Sequence, residues 1–455
     1  MATEQCVNLV VGSGIAGKIL AWKIGKTAKT IVVERSMIGG SCPNVACLPS
    51  KNVIYSAKAA ALANPKTGLG VLTGDIHVNM AAVIRRKKEM VENLMKIHLH
   101  EFQAAGAEIV MGEGRFVEPK TIEVAMNAGG TRVFRGERVF LDVGTRAAIP
   151  DVLAPAAPMT HVEMLNDERL PEHLVVVGGG YVGLEFAQAM RRFGSRVTIV
   201  QHGKQLLPGE DGDVSESLLQ LMKDEGIEVL LESEITVVRG RSGSGVQLKI
   251  RVGNSERSVA ASDILVATGR TPNTDRLHAE KGNVRLRPDG YVQVNERLET
   301  SVPGVWAMAE CAGSPKFTHV GVDDCMVVLD NLAGGNRTTR DRLIPYCLFT
   351  DPELAHVGLS ESQAKASGIS YRLTKMPWAQ VLRAHTLSET RGFCKALIGA
   401  DNRILGFTGF GAEASEMMSA VQIAMLGKLP YTVFTQAILA HPTTAEGLGV
   451  LFSQV

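Results

Sequence analysis

The 455-residue chain is short of several things, and each shortage excludes something. Charge of one sign is missing: lysine and arginine number 48 against 47 aspartates and glutamates, a formal net charge of +1. Such a balance gives no field to attract a phosphate backbone, and no lysine-rich run replaces it. Nucleic acid is therefore not expected as a partner, and small molecules are. Long apolar runs are missing too, since no stretch reaches about eighteen apolar residues without charge or several glycines. The opening MATEQCVNLVVGSG carries Glu4 where a secretory leader would be positive, and Gly12 and Gly14 interrupt its apolar run. These features predict no membrane span and a cytoplasmic location. Cysteine is scarce: seven, an odd number in so long a chain, speaks against a secreted disulfide framework and for a few individually meaningful thiols. What remains, 45% hydrophobic and 21% charged residues, is a globular balance with room for two or three domains.

One pattern occurs twice. In VNLVVGSGIAGKILAWKIG a β-branched run leads into Gly12, Gly14 and Gly17, spaced G-x-G-x-x-G, and then into an amphipathic helical pattern. The first glycine allows a tight turn, the second lets backbone approach a pyrophosphate, and the third lets helix pack on strand. The phosphates would rest at the helix N-terminus, where N–H groups and the dipole favour anions. The strand TIVVER then ends in Glu34, placed to accept hydrogen bonds from a ribose. The second copy, HLVVVGGGYVGLEFAQAMRRFGSRVTIVQHG, has Gly178, Gly180 and Gly183, and its second strand ends at Gln201. Two such sites suggest two dinucleotides, one passing electrons to the other. Gln201, followed by His202 and Lys204, would not repel a 2′-phosphate as a carboxylate would, which favours NADPH while leaving NADH open.

GGSCPNVACLPSK, residues 39–51, places Cys42 and Cys47 five positions apart. In a regular helix they would be about 7.5 Å apart along the axis and on different faces. Closure needs an irregular turn, which Gly39, Gly40 and Pro43 allow at the start of a helix through SKNVIYSAKAAAL. A helix N-terminus also lowers a thiol pKa. Zinc would require two more ligands at suitable spacing, and Cys311, Cys325, Cys347 and Cys394 stand singly, so no metal site is expected. A structural bridge around so small a loop would add little stability and seldom persist in a reducing cytosol. A pair that carries electrons is the third reading, beside these two.

GSGIAG, GGSCPNVACLPSK, VGTRAAIP (143–150), VVVGGGYVGLEFA, ATGRTPN (267–273), VPGVWAMAECAG (302–313), FTDPELAHVGLSE (349–361) and AHPTTAEGL (440–448) follow one another along nearly the whole chain. In these motifs the sequence resembles the class I pyridine nucleotide-disulfide oxidoreductases, flavoproteins that include glutathione reductase, dihydrolipoamide dehydrogenase and mercuric reductase. The resemblance implies an α/β fold with two Rossmann-like domains, for FAD and NAD(P)H, and an α+β C-terminal dimerisation domain. Residues 1–150 and 272–335 would bind FAD, 151–271 would bind NAD(P)H, and 336–455 would form the interface of a homodimer. Gly40, Ser41, Lys51, Gly144, Thr145, Arg146, Gly269, Arg270, Glu310, Thr318 and His319 join the glycine motifs as cofactor-binding candidates. By the same resemblance Cys47 would lie against the flavin and Cys42 would exchange with substrate. Lys51 would pair with Glu185 near the flavin, and Tyr181 would gate the nicotinamide pocket. His441, held by Glu446, would move protons at the other subunit's cysteines, so that the active site is shared.

The family pattern is broken in places. Ala309 and Glu310 stand where glycine and aspartate are usual, Ala46 replaces a glycine before Cys47, and His319 replaces a proline, read here as filling space. The closing GVLFSQV has no vicinal cysteines of the mercuric type, and Leu439 stands where dihydrolipoamide dehydrogenases commonly carry a second histidine. The expected activity is hydride transfer from NAD(P)H through FAD to Cys42–Cys47 and on to a small disulfide. Reduction of a soft metal ion or a quinone is the alternative, and a non-catalytic thiol redox sensor or metal-binding protein is the rival of another class.

Overall fold

A computed structural model describes residues 2–63, 69–71 and 74–455. The chain forms two compact units, one of Met1–Val53, Ala81–Ala148 and Gly269–Arg342, the other of Ile54–Met80, Ile149–Thr268 and Leu343–Val455.

In the first unit, strand Thr3–Val11 pairs in parallel with Thr30–Glu34 on one side and Thr131–Leu141 on the other. Glu108–Glu118 adds in parallel beyond Thr30–Glu34, and Val305–Ala307 beyond Thr131–Leu141. Thr121–Met126 links the far ends of two of these strands in antiparallel pairing. The central strands are buried on both faces, which is why they read as continuous apolar runs: Leu9, Val10, Ile31, Val32, Val139 and Phe140 form the middle of the core. The register sets Val11 beside Val33 and Leu141. Gly12, Glu34 and Asp142 therefore meet at the carboxyl edge of the sheet, the place where open α/β sheets bind ligands.

The second unit repeats the device. Asp263–Val266, His173–Val177, Arg196–Val200 and Glu228–Leu230 form a four-stranded parallel sheet in that order. Val177 is opposite Val200 and Val266, so Gly178 and Gln201 share the carboxyl edge. Helix Tyr181–Phe193 follows the glycines. The same unit contains a five-stranded antiparallel sheet, Tyr346–Leu348, Glu353–Gly358, Ile404–Gly411, Phe393–Ile398 and Arg372–Pro377. Helix Ala414–Leu426 covers it, burying Met417, Met418, Val421 and Ala424. The mixed α/β architecture expected from the sequence is the one observed. No helix among the described residues is long and apolar enough to cross a membrane.

Candidate active site

The cysteine pair owes its geometry to a broken helix. Gly39 and Gly40, both with left-handed backbone (φ +87° and +73°), turn the chain into a short helix, Ser41–Val45. Helical geometry fails at Ala46 (φ −133°, ψ −109°) and resumes in Cys47–Leu62. That is the irregular turn the spacing requires, and it brings the thiols of Cys42 and Cys47 close enough to act on one another. Cys47 Sγ also lies 3.3 Å from Thr318 Oγ1, at the start of helix Thr318–Leu332. A Cβ on Gly40 would stand 2.6 Å from Gly14 Cα, so the cysteine segment rests directly on the glycine-rich turn. Lys51, half-buried, follows Cys47 by one helical turn.

The lowered thiol pKa expected from a helix terminus does not hold for Cys42. Its hydrogen bond to Cys47, then burial, then charge on Cys47 push it up, against opposing pulls from Thr318 and Lys18. The physical reason is proximity: two thiols in contact cannot both ionise easily, so a charge on Cys47 keeps the proton on Cys42.

The first glycine turn is tight. A Cβ on Gly12 (φ +95°) would lie 2.2 Å from the Asp142 carbonyl oxygen, and one on Gly17 2.4 Å from that of Gly12. Helix Ile15–Ile24 begins without a side-chain cap. Glu34 accepts from the Ser13 N–H at 2.9 Å and hydroxyl at 2.6 Å, and from the N–H groups of Ser36 and Met37 at 2.8 and 3.0 Å. Both oxygens are thereby engaged in shaping the loop. Gln201 plays the same part in the second turn: its Oε1 accepts from the Gly179 N–H at 2.9 Å, and its Nε2 donates to the Gln205 carbonyl at 3.1 Å. His202 and Lys204 are exposed beside it. Cβ atoms on Gly144 and Gly180 would enter open space, leaving backbone accessible there.

Thr145, Arg270 and Glu310 form one cluster: the Thr145 hydroxyl donates to Glu310, and Arg270 Nε lies 3.1 Å from the same carboxylate. Arg270 and Thr145 meet because their short strands, Arg270–Pro272 and Thr145–Ala147, pair antiparallel. Gly269 accepts the Ala148 N–H at 3.0 Å. Arg146 instead points to Asp275, at 3.0 Å, on the surface. His319 is exposed and stacks on Phe317 at 5.4 Å between centroids, so it fills no interior gap.

In the second unit the Tyr181 hydroxyl donates to Glu210 Oε1 at 3.2 Å, and Tyr346 donates to the same oxygen at 2.8 Å. Burial first, then the Glu210 charge, raise the Tyr181 pKa. Glu185, one turn along the same helix, is buried and accepts the Phe349 N–H at 3.0 Å. His441 Nδ1 and Glu446 Oε2 are 3.0 Å apart, with the imidazole largely exposed and the carboxylate covered. A cleft of about 480 Å³ lined by Arg383, Glu413, Glu416, Met417, Pro442 and Thr444 adjoins this pair. No group of three or more His, Cys, Asp or Glu side chains able to hold a metal ion occurs among the described residues.

A family model described as pyridine nucleotide-disulphide oxidoreductase matches residues 8–324, and that family's dimerisation domain matches residues 344–451. The chain belongs to this family. It is an FAD-dependent oxidoreductase that uses a pyridine nucleotide. Among curated proteins it is similar to the probable pyridine nucleotide-disulfide oxidoreductase RclA of Escherichia coli, 30% identical with 98% of each chain covered. Dihydrolipoyl dehydrogenase of Pseudomonas aeruginosa is also 30% identical, covering 97% of this chain and 95% of the relative. Among solved structures, the Cu(II) complex of the HOCl-induced flavoprotein disulfide reductase RclA from E. coli superposes with a TM-score of 0.90 at 29% identity, over all of both chains.

Asp142 tests whether the first turn suits FAD. Its Oδ2 accepts the Gly17 N–H at 2.7 Å, and a Cβ on Gly14 would lie 2.6 Å from the same oxygen. A charged carboxylate there would oppose a pyrophosphate. Burial, however, pushes the Asp142 pKa up to about 8, so the group is mostly protonated at neutral pH and the turn can accept phosphate. Sequence reasoning missed Asp142, Lys18, His98, Glu210 and Tyr346. Two local signals were present: an acid ending the apolar run VFLD, and a lysine directly after the third glycine.

Proposed function

We propose that the enzyme is a homodimeric NAD(P)H:disulfide oxidoreductase whose Cys42–Cys47 pair passes two electrons to a small disulfide. The carrying observation is the helix break at Ala46, which brings the two thiols together against the dinucleotide turn. Bound FAD supplies two-electron transfer between a nicotinamide hydride and a disulfide. Gly12, Gly14 and Gly17, with the uncapped helix start, hold its pyrophosphate, and Thr145, Arg270 and Glu310 offer it a polar cluster. In this reading residues 1–150 and 272–335 serve FAD, 151–271 serve the nicotinamide nucleotide and 336–455 the interface. Tyr181 gates the nicotinamide side, steadied by Glu210.

In the reduced pair Cys47, beside Thr318, holds the negative charge and Cys42 keeps its proton. His441, oriented by Glu446, removes that proton from the partner's Cys42. The Cys42 sulfur then bonds to one acceptor sulfur, the acceptor S–S bond breaks, and the other sulfur leaves with the proton from His441. Attack of Cys47 on Cys42 re-forms the protein disulfide and releases the second thiol, which takes its proton from solvent. NADPH is the favoured donor because neutral Gln201 has no charge to repel a 2′-phosphate and His202 and Lys204 are exposed nearby. Gln201→Glu should weaken NADPH use relative to NADH by about tenfold, read as the ratio of kcat/KM values. An unchanged ratio would remove Gln201 from the account.

Cys42→Ser should abolish turnover of a disulfide substrate with NADPH in excess, and persistent turnover would refute the thiol relay. One observation favours a second reading. The similar RclA was solved as a Cu(II) complex, which makes a metal ion a candidate electron acceptor. NADPH oxidation that depends on Cu(II) and ignores every disulfide tested would select it.

A further inference from the structure

Lys18 directly follows the third glycine of the first turn, and its side chain is only 4% exposed. It points to helix Met80–Ala104, where its Nζ lies 3.2 Å from His98 Nε2, and it sits 5.7 Å from the Trp22 ring centroid. His98 is itself 8% exposed. The His98 Nδ1 is buried and makes no hydrogen bond, and a Cβ on Gly39 would lie 2.6 Å from it. The pair thus lies against the segment that turns into Cys42.

A buried ammonium is costly unless something compensates it. The groups that do so here are few. Burial lowers the Lys18 pKa, while the charges of Cys42 and Asp142 raise it. His98 is pushed down to about 4 by burial and then by the Lys18 charge, so at neutral pH it is an uncharged acceptor. Asp142 is mostly protonated at that pH. On the Cys42 side the facing groups are Cys47, Thr318 and Lys18, and Lys18 is the one cation among them. A leucine would fill this place on an apolar helix face without any of these costs.

We propose that Lys18, anchored by the neutral His98, is a positioning residue that supplies the fixed positive charge stabilising the Cys42 thiolate during exchange. The inference rests on the reading of Cys42 as the exchange thiol. It acts at one moment of the cycle: Cys47 disfavours a second negative charge on the pair, and Lys18 offsets that penalty as Cys42 loses its proton and its sulfur attacks the acceptor.

The test compares wild-type holoenzyme with Lys18→Met, Lys18→Gln and Lys18→Arg. Each is reduced chemically with dithiothreitol and then alkylated with iodoacetamide as a function of pH. Modification of the Cys42 peptide is followed by mass spectrometry. Both uncharged variants should move the midpoint of Cys42 alkylation upward by about one pH unit or more, and slow it about tenfold near neutrality. Lys18→Arg should restore most of the reactivity. The glutamine variant, which keeps a donor for His98, carries the test if the methionine variant does not fold. Identical midpoints in wild type and a folded uncharged variant would overturn the proposal, whatever happens to turnover. Because reduction is chemical, this outcome is separable from failure of the relay itself, which appears as disulfide turnover surviving Cys42→Ser.

Discussion

Ala309 adopts φ +55°, the left-handed region where a Cβ costs about 1–2 kcal/mol relative to glycine. It is held there by its N–H, which donates to the buried Asp324 carboxylate at 2.6 Å. Ala309→Gly should therefore raise stability by about 1 kcal/mol, seen as a higher urea midpoint with an unchanged slope. No gain, or a loss, would mean the methyl contributes packing that outweighs its backbone cost. At this scale the sequence was most legible where a residue type is forced by backbone geometry. Gly12, Gly17, Gly178 and Gly183 each press on a carbonyl that a side chain would strike, and the dyad of His441 and Glu446 sits within one short loop. Lys18 and His98 were not legible. They meet across eighty positions, and nothing local says that a lysine in GSGIAGK turns inward rather than to water.

The ionic cluster around Lys395 ties three elements of the second unit together. Lys395, fully buried in strand Phe393–Ile398, lies 2.9 Å from Asp211, 2.8 Å from Asp213 and 2.9 Å from Glu361. Burial alone would raise the Asp211 pKa, but hydrogen bonds from Ser362 and Lys395 outweigh it and hold the carboxyl below the usual range. A folded-state pKa depressed in this way contributes stability above the ordinary carboxylate pKa, and the contribution is lost as pH falls through the folded value. Lys395→Met leaves Asp211 without a cation and Asp213 and Glu361 with only the more exposed Lys375 and Lys365, and should cost about 3–5 kcal/mol near neutrality. The deficit should shrink toward acid pH, where the carboxylates take up protons. Urea unfolding of both proteins at several pH values checks this, and a deficit independent of pH would point to packing instead. The helices and strands themselves were legible because their apolar runs carry the period of each element. The end of the short helix at Ala46 could be expected only from what the thiols require, since alanine is a good helix former and does not announce a break.

At the scale of the whole molecule, the region matching the dimerisation domain exposes Ile423, Leu426, Leu429 and Ile438, although Ile423 and Leu426 lie on a helix whose other face is already buried. Two apolar faces on one helix suit a second copy of the chain. In the proposed homodimer, Ile438→Glu should shift sedimentation from dimer to monomer and remove disulfide turnover, while leaving reduction of the flavin by nicotinamide intact. A monomeric wild type with full turnover would rule out a shared site. The most direct test of the central claim is an anaerobic absorption titration, adding NADPH or NADH in sub-stoichiometric steps. A long-wavelength band with the flavin still oxidised is predicted, because the electrons come to rest on Cys42 and Cys47. Simple bleaching of the flavin without that band would contradict the account and assign the electrons to an acceptor that bypasses the thiols.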